Sequence, residues 1–345
     1  MYFRTMSGLR KITVPFSWGY RLVTSIRNCL FDQGIFKTTT FDIPVITIGN
    51  LSVGGTGKTP QVEYLVRLLQ GDYRIAILSR GYKRKTEGFV LADKHASAQT
   101  IGDEPYQYYS KFKEITVAVD ADRVHGINQL LRLENPPNLI LLDDAYQHRK
   151  VTGKFNILLT RYADLYTDDW MLPAGNLRET KKGAERAKVI VVTKCPKDLS
   201  ESKREQVLAK IQPLPNQQVH FSYIDYAAEV TNGSDSILLD DLKSKQVVLV
   251  TGIAKPEPLV TFLKEKGVQI THLNFPDHYD FKSKDIQKVE AAFESISGEG
   301  KMILSTEKDF VRLKGKLDCY YLEIQNNFIG GNQAFDENIK TCLKE

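Results

Sequence analysis

The sequence has 345 residues, of which 42% are hydrophobic and 26% charged, with a formal net charge of +5. These proportions are typical of a folded globular protein and exclude a disordered chain, and the length favours two domains over one. The 4 cysteines have neither CxxC nor metal-ligand spacing, which predicts reduced thiols in the cytosol. No apolar run reaches the roughly eighteen residues of a membrane-spanning helix, and the first residues lack the features of a secretory signal. We therefore expect the protein to stay on the cytoplasmic side.

The basic charge is concentrated at the N-terminus. Residues 1–40 carry six basic side chains and one acidic side chain, so the rest of the chain is neutral overall, which argues against a nucleic-acid-binding surface. Within residues 17–31, apolar side chains recur every four positions: Trp18, Leu22, Ile26 and Leu30. The period predicts an amphipathic helix, and we expect residues 1–36 to associate with an anionic membrane surface. Packing on the rest of the protein is the commoner fate of such a helix.

Short apolar runs alternate with helical stretches between residues 37 and 218. The runs cover residues 45–49, 74–79, 115–120, 139–143, 156–160 and 189–193. Near-continuous apolar strands that alternate with helices, such as those at 60–69 and 121–133, predict an α/β fold. Its sheet would be mostly parallel, with helices on both faces. We expect residues 37–218 to form the larger domain.

A second α/β series follows a polar stretch that is rich in Pro, Asn, Ser and Asp. We predict that this stretch, residues 219–245, is a linker that could fold as a two-stranded ribbon. Beyond it, strands are predicted at 247–251, 269–274, 302–305 and 319–324, and helices at 256–266, 284–295 and 307–313. Residues 246–345 would then form a smaller second domain that could act as a lid.

A glycine-rich segment follows the first predicted strand and precedes a helix. It consists of Gly54, Gly55, Thr56, Gly57, Lys58 and Thr59. Backbone N–H groups of such a segment converge on phosphate oxygens, its lysine reaches the β and γ phosphates, and its threonine offers a hydroxyl to Mg²⁺. The usual pattern starts with a glycine where this chain has Ser52, and a plain glycine turn is the alternative. We predict a nucleotide site in a P-loop NTPase-like catalytic domain.

Two pairs of acidic residues follow predicted strands. Asp143 and Asp144 end the fourth strand, where a P-loop fold places the carboxylate that holds Mg²⁺ or its water shell. Side chains alternate along a strand, so at most one of the two would face the metal unless the strand has already ended. Asp103 and Glu104 lie between the second and third strands, where a carboxylate could take a proton from a hydroxyl group. The alternative is that Asp103 caps a helix that runs through Tyr109.

Three further segments give weaker indications. Arg178, beside Glu179, could bind phosphate or form a solvated ion pair. His148 and His278 have polar and charged neighbours, but an isolated histidine is more often structural. The strand end Val192-Thr-Lys-Cys-Pro196 resembles the [NT]KxD motif that reads guanine, yet proline stands in the place of the required aspartate. GTP specificity is therefore not supported.

Taken together, these motifs resemble the tetraacyldisaccharide 4′-kinases of lipid A synthesis. The matching segments run through most of the chain: 50–60, 79–82, 102–105, 143–149, 173–179, 251–254, 275–278 and 306–309. One departure is Ala145, which stands where the family usually has a glycine after the paired aspartates. We expect activity to survive this change.

The resemblance implies an enzyme that uses ATP and Mg²⁺ to phosphorylate the 4′-hydroxyl of a tetraacyl glucosamine disaccharide 1-phosphate. It implies a peripheral position on the cytoplasmic face of the inner membrane, with no protein partner. The base would be Asp103 assisted by His278. The catalytic residues implied are Asp103, His278, Lys58, Arg178 and Glu179. The metal ligands implied are Thr59, Glu104, Asp143 and Asp144.

Two other functions are compatible with the nucleotide motif. A nucleotide switch that recruits a protein partner would share the glycine-rich loop and the N-terminal helix, but it has no need of a base such as Asp103 with His278. A soluble P-loop ligase would leave the amphipathic N-terminus unexplained.

Overall fold

A sheet of 13 β-strands organises this computed structural model, which describes residues 10, 12–277, 279–298 and 300–345. The strands are β1 (Val45–Asn50), β2 (Ile75–Ser79), β3 (Val90–Leu91), β4 (Thr116–Val119), β5 (Leu139–Leu142), β6 (Phe155–Arg161), β7 (Val189–Thr193), β8 (Gln218–Thr231), β9 (Ser236–Leu238), β10 (Gln246–Thr251), β11 (Gln269–Asn274), β12 (Lys301–Thr306) and β13 (Tyr320–Phe328). Their order is β11-β10-β12-β13-β8-β7-β6-β1-β5-β2-β4-β3, and β9 pairs with β8. Most pairs are parallel, which confirms the predicted fold class.

The strands are connected largely by helices. These are α1 (Val14–Asp32), α2 (Lys58–Leu69), α3 (Ala98–Ile101), α4 (Asp103–Lys111), α5 (Arg123–Leu130), α6 (Glu201–Ile211), α7 (Glu257–Glu265), α8 (Ser283–Glu294), α9 (Glu307–Leu313) and α10 (Gln333–Lys344). The sequence did not predict α3, α6 or α10. In α6 only Val207 and Ile211 are buried, so its apolar period is too weak to predict a helix.

Strand β1 lies in the middle of the larger half of the sheet. It pairs in parallel with β5 on one side and β6 on the other. All of its residues are buried, which explains its unbroken apolar run. The segment that follows β1 therefore leaves the carboxyl edge of the sheet between the ends of two parallel strands, where α/β sheets bind their ligands.

Strand β8 joins the two halves of the sheet. Its first residues pair in parallel with β7, and its later residues pair antiparallel with β13 and with β9. These two strands, β8 and β9, occupy the stretch for which we predicted a linker or a two-stranded ribbon. Because β8 belongs to the main sheet, the two halves share one continuous hydrogen-bonded structure.

The C-terminal helix α10 packs on the larger half. Phe335 and Ile339 are fully buried in the same apolar cluster as Ile46 and Ile48 of β1. The second half is thus built from β10–β13 with α7–α9, and its last helix returns to the first core. The division at residue 246 remains a proposal.

Helix α1 contacts the larger half through polar side chains. Ser17 Oγ donates a hydrogen bond to the Met171 carbonyl at 3.1 Å, and Asn28 Nδ2 donates one to Glu179 at 2.9 Å. Two members of the predicted apolar stripe, Trp18 and Leu22, are 66% and 61% exposed. The helix therefore packs through these polar contacts and through Phe31 near its end, which is 8% exposed, and leaves Trp18, Leu22 and Ile26 uncovered. None of the described helices is long and apolar enough to cross a membrane.

Candidate active site

The glycine-rich segment between β1 and α2 forms an open loop. Gly54 has a φ of +107°, and Gly57, at the N-cap of α2, has a φ of +86°. A side chain is disfavoured at such angles, so these two glycines permit the conformation. The hydroxyl of Thr56 accepts a hydrogen bond from Asn50 Nδ2 at 2.8 Å, and the Thr56 carbonyl accepts one from Thr193 Oγ1 at 2.7 Å. These hydrogen bonds hold the loop to the ends of β1 and β7. The loop leads into the N-terminus of α2, and a helix N-terminus of this kind binds phosphate.

The two departures from the expected motifs fit the structure without strain. Ser52 forms an isolated antiparallel bridge with Leu177, a backbone geometry that does not require glycine. Ala145 is 1% exposed and packs in an apolar cluster with the strand residues beside it. The residue that must be glycine here is Gly49, because its backbone lies so close to Tyr146 that an added Cβ would be 2.7 Å from the Tyr146 Cβ. The extra methyl group of Ala145 is therefore accommodated.

Asp144 faces two cations at the mouth of the loop. Its Oδ1 lies 3.5 Å from Lys58 Nζ and 3.3 Å from Arg178 Nη1. Burial alone would raise the pKa of Asp144, but Lys58 and Arg178 outweigh burial and hold that pKa below its usual value. Residue 144 has a φ of +46°, so the strand has ended and its side chain no longer follows strand alternation. Lys58, Asp144 and Arg178, which the sequence analysis assigned to the site one by one, thus lie together.

Asp143 is buried beside Asp144 and is only partly satisfied. The Tyr108 hydroxyl donates to Asp143 Oδ2 at 3.4 Å, whereas Asp143 Oδ1 has no hydrogen-bond partner among the described residues. Burial, followed by the charge of Asp144, raises the pKa of Asp143 to about 7. An unsatisfied carboxylate oxygen next to a second carboxylate fits a bound cation.

These residues fit Mg²⁺. Mg²⁺ is usually held by one or two carboxylates together with substrate phosphates and water, so a complete protein cage is not required. The described part of the chain contains no group of three or more His, Cys, Asp or Glu side chains that could hold a metal ion. The Tyr108 hydroxyl donates to Asp143, Thr59 acts on the pKa of Tyr108, and the charge of Glu104 raises the pKa of both Tyr108 and Asp143. The four predicted ligands thus belong to one neighbourhood.

Asp103 begins α4 and reaches the second half of the protein. The N-cap of the helix is Gly102, so the alternative prediction that Asp103 caps this helix is wrong, although the helix itself is present. The Asp103 carboxylate pairs with Arg312 of α9, whose Nε lies 3.2 Å from Asp103 Oδ1. A carboxylate from the first half is therefore oriented by an arginine from the second half.

His278 lies outside the described residues, but its neighbours are described. Arg312 Nη1 donates to the Tyr279 carbonyl at 3.5 Å, and Lys308 Nζ lies 3.4 Å from Asp277 Oδ1. Arg312 thus contacts both Asp103 and the Tyr279 backbone. The other candidate histidine, His148, is half-buried. Burial and the neighbouring arginines lower the pKa of His148 to about 4, so it is neutral at pH 7.

Glu179 is buried and bound by three side chains. Arg186 Nη2 and Gln147 Nε2 donate to Oε1 at 2.8 and 3.1 Å, and Asn28 Nδ2 donates to Oε2. With both oxygens engaged, the carboxylate connects α1 to the segment that carries Arg178. The sequence predicted Glu179 among catalytic residues; its contacts are those of a residue that positions its neighbours.

Three basic residues that sequence reasoning missed surround this site. Arg312 orients Asp103; Lys194 contacts the glycine-rich loop at Gly55. Arg123 is 2% exposed, and burial lowers its pKa to about 10 while it donates to the Asp143 carbonyl. Only Lys194 had a sequence indication, since it belongs to the strand end that resembles the guanine-reading motif.

Comparison with known proteins relates the chain to one family. The model of the family described as tetraacyldisaccharide-1-P 4′-kinase matches residues 9–344. The tetraacyldisaccharide 4′-kinase of Flavobacterium johnsoniae is 53% identical over 99% of both chains, and that of Flavobacterium psychrophilum is 48% identical over 97% of both. Among solved structures, LpxK from Aquifex aeolicus in complex with ATP superposes with a TM-score of 0.77. It is 30% identical, and the match covers 97% of this chain and 99% of that one.

Proposed function

Because this chain belongs to the tetraacyldisaccharide-1-P 4′-kinase family, we propose that it transfers the terminal phosphate of ATP to the 4′-hydroxyl of a tetraacyl glucosamine disaccharide 1-phosphate. The observation that carries this function is the meeting of Lys58 with Asp144, 3.5 Å apart, at the mouth of the phosphate-binding loop. Lys58 and Asp144 come from the loop after β1 and the end of β5, the two places from which a P-loop kinase assembles its phosphoryl-transfer site.

The loop and its neighbours bind and neutralise the polyphosphate. Phosphoryl transfer spreads negative charge over the oxygens of the moving group, so fixed positive charge lowers the barrier. Lys58 moves from Asp144 to the β and γ phosphates, and Arg178 adds a second cation on the same side. Thr59, Asp143, Asp144 and Glu104 would hold Mg²⁺, which when bound neutralises part of the phosphate charge. A cation held there would give Asp143 the positive partner that its buried carboxylate lacks.

Asp103 takes the proton of the acceptor hydroxyl. Its pairing with Arg312 fixes the carboxylate, and we assign His278 the assisting role that the family motif implies. A general base of this kind contributes about 10²- to 10⁴-fold to the rate. Asp103 and Arg312 belong to different halves, so their contact supports a lid role for the second half, which would exclude water from the site.

Helix α1 brings the enzyme to its lipid substrate. A lipid with four acyl chains does not leave a bilayer at useful rates, because each buried methylene group contributes roughly 0.8 kcal/mol. The support for this role is the exposure of Trp18, Leu22 and Ile26, at 66%, 61% and 51%, on a helix that uses its polar side chains for packing. We infer a peripheral position on the cytoplasmic face of the inner membrane.

The experiment that tests the function is a transfer assay. Purified protein is incubated with γ-labelled ATP, Mg²⁺ and the detergent-dispersed disaccharide 1-phosphate, and label is measured in the lipid. We expect transfer by the parent enzyme and a loss of two or more orders of magnitude in Lys58→Met. Release of free phosphate triggered by a protein, with no labelled lipid, would instead favour a nucleotide switch.

A further inference from the structure

The end of β7 supports the phosphate-binding loop from the side away from Asp144. In the sheet, β6 and β7 lie on one side of β1, and β5 with its two aspartates lies on the other. Thr193 Oγ1 donates to the Thr56 carbonyl at 2.7 Å, and Lys194 Nζ donates to the Gly55 carbonyl at 2.8 Å. Two successive side chains of one strand end therefore hold two successive carbonyl groups of the loop.

The backbone of Lys194 is in an unusual conformation. Its φ is +57°, in the left-handed region that disfavours residues with a Cβ. Non-glycine residues held at such angles recur at functional sites, where the surrounding structure fixes them. The Lys194 amine donates to the Gly55 carbonyl at 2.8 Å, which places it against the loop.

The electrostatic surroundings of Lys194 favour an anion. The Lys194 side chain is exposed overall, but protein atoms around its amine partly desolvate it; this desolvation, followed by the charges of Arg161, Lys255 and Lys58, lowers the pKa of Lys194 to about 8. The contact of Nζ is a neutral carbonyl oxygen, and the described residues give it no carboxylate partner. Cations that lower one another's pKa are stabilised together by a polyanion bound between them.

On the premise that the chain is an ATP-dependent kinase, we propose that Lys194 is a positioning residue for the nucleoside triphosphate. It fixes Gly55 so that the N–H groups of the loop stay directed at the polyphosphate, and it adds positive charge beside that polyphosphate. The ligand is the nucleotide and not the phosphate of the lipid, because Lys194 contacts the same loop that presents Lys58. Lys194 thus belongs to a strand end that resembles the guanine-reading motif, and it lies next to the loop. The aspartate that reads the base in that motif is replaced by Pro196.

The test measures nucleotide binding and turnover separately. The variants are Lys194→Met, which removes the charge and the hydrogen bond, and Lys194→Arg, which keeps a donor and a charge. The matched control is Lys197→Met, which removes an exposed lysine three residues away that pairs with Asp225. The Kd for a non-hydrolysable ATP analogue is measured by calorimetry without lipid. KM for ATP, KM for lipid and kcat come from the transfer assay, and thermal melting checks that each variant folds.

We expect Lys194→Met to raise the Kd for the analogue and the KM for ATP by about tenfold, with kcat within about threefold of the parent and the KM for lipid unchanged. Lys194→Arg should recover most of the affinity, and Lys197→Met should match the parent. An unchanged Kd in a folded Lys194→Met variant would overturn the proposal, as would a rise confined to the KM for lipid. If the parent binds the analogue but phosphorylates no lipid, the proposed acceptor is wrong while the binding result still decides the role of Lys194. A parent that binds no nucleotide would overturn both.

Discussion

Arg312 of α9 donates from Nε to Oδ1 of Asp103 at 3.2 Å, across 209 positions of sequence. The two helices that carry this pair are also joined at their other ends, where Lys111 of α4 lies 2.7 Å from Glu307 of α9. A helix of the larger half and a helix of the second half are therefore held by ion pairs at both ends of their contact. This double connection fixes the candidate base relative to the second half.

The first prediction concerns the Arg312–Asp103 pair. We expect Arg312→Gln to lower kcat by about 10- to 100-fold, because the carboxylate loses the partner that orients it, while KM for ATP changes little. Steady-state kinetics with saturating lipid provide the measurement. Lys314→Gln, which removes an exposed cation just beyond the same helix, is the control and should behave like the parent. A kcat near that of the parent for Arg312→Gln would show that Asp103 does not need this partner.

The second prediction concerns the coupling of Asp103 and His278. We expect Asp103→Ala and His278→Ala each to lower kcat strongly, and the double variant to lose little more than the worse single one, since residues that act as a unit are not additive. The four kinetic constants of the cycle are measured under identical conditions. Fully additive losses would mean that Asp103 and His278 act independently, and a silent His278→Ala would remove the histidine from the mechanism.

The third prediction is a pH dependence that Lys194 imposes on nucleotide binding. Its amine, with a pKa lowered to about 8, is charged below that pH and loses its charge as the pH rises through it. Because the anionic nucleotide prefers the charged amine, the KM for ATP should rise above about pH 8. The groups that surround the amine are Arg161 of β6, Lys58 of α2, Lys255 after β10 and Lys308 of α9, all of the same sign. Lys194→Arg should abolish the rise, and a rise that persists in that variant would assign the titration to another group.

The fourth prediction concerns the buried ion cluster around Lys111. Its Nζ lies within 2.8 Å of Glu63, 2.7 Å of Glu307 and 3.1 Å of Glu323. Removing the amine leaves Glu307 without its cation and leaves Glu63 and Glu323 with only Arg67, at 3.6 Å from each, so we expect Lys111→Met to lower the free energy of unfolding by about 3–5 kcal/mol. Urea unfolding measures the loss. Adding Glu63→Gln should restore part of the stability, and equal stability of the parent and Lys111→Met would mean that the carboxylates are already neutral.

The fifth prediction concerns helix α1. Replacing Trp18, Leu22 and Ile26 with serine should weaken co-sedimentation with anionic vesicles and raise the apparent KM for lipid several-fold, because these exposed side chains supply the apolar contact. The KM for ATP should barely change. Arg21→Glu should act in the same direction and lose its effect at high salt. Normal vesicle binding by folded variants would place the membrane contact elsewhere.

Local patterns predicted much of the site. The glycine spacing from Gly54 to Thr59 and the acids after β5 are short-range features, and both lie where their patterns placed them. Because β1 and β5 are buried on both faces, they have continuous apolar runs, and the parallel sheet could also be predicted from the sequence. The helix α1 was predicted from its period. The period alone does not decide whether the apolar side chains pack on the protein or stay exposed, because that depends on the contacts of the folded helix.

The pairings between residues far apart in the chain were not predicted from the sequence. Arg312 meets Asp103, and Lys111 meets Glu307, only because the sheet continues through β8 into the second half, and no local pattern encodes such a contact. The return of α10 to the first core is a similar case, since the partners of Phe335 lie at the other end of the chain. Lys194 belongs to a strand end that resembles the guanine-reading motif. Its contact with the glycine-rich loop was not predicted, because the aspartate that completes the motif is missing.

The position of the new phosphate in the product tests the proposed kinase activity directly. The disaccharide 1-phosphate is incubated with the parent enzyme, ATP and Mg²⁺, and the lipid is analysed by phosphorus–proton correlation NMR and mass spectrometry. We predict one additional phosphomonoester, attached to O4′, and its absence when Asp103→Asn or Lys58→Met replaces the parent. A product with the new phosphate on another hydroxyl or on the existing 1-phosphate, or no phosphorylated product at all, would show that the protein is not a 4′-kinase.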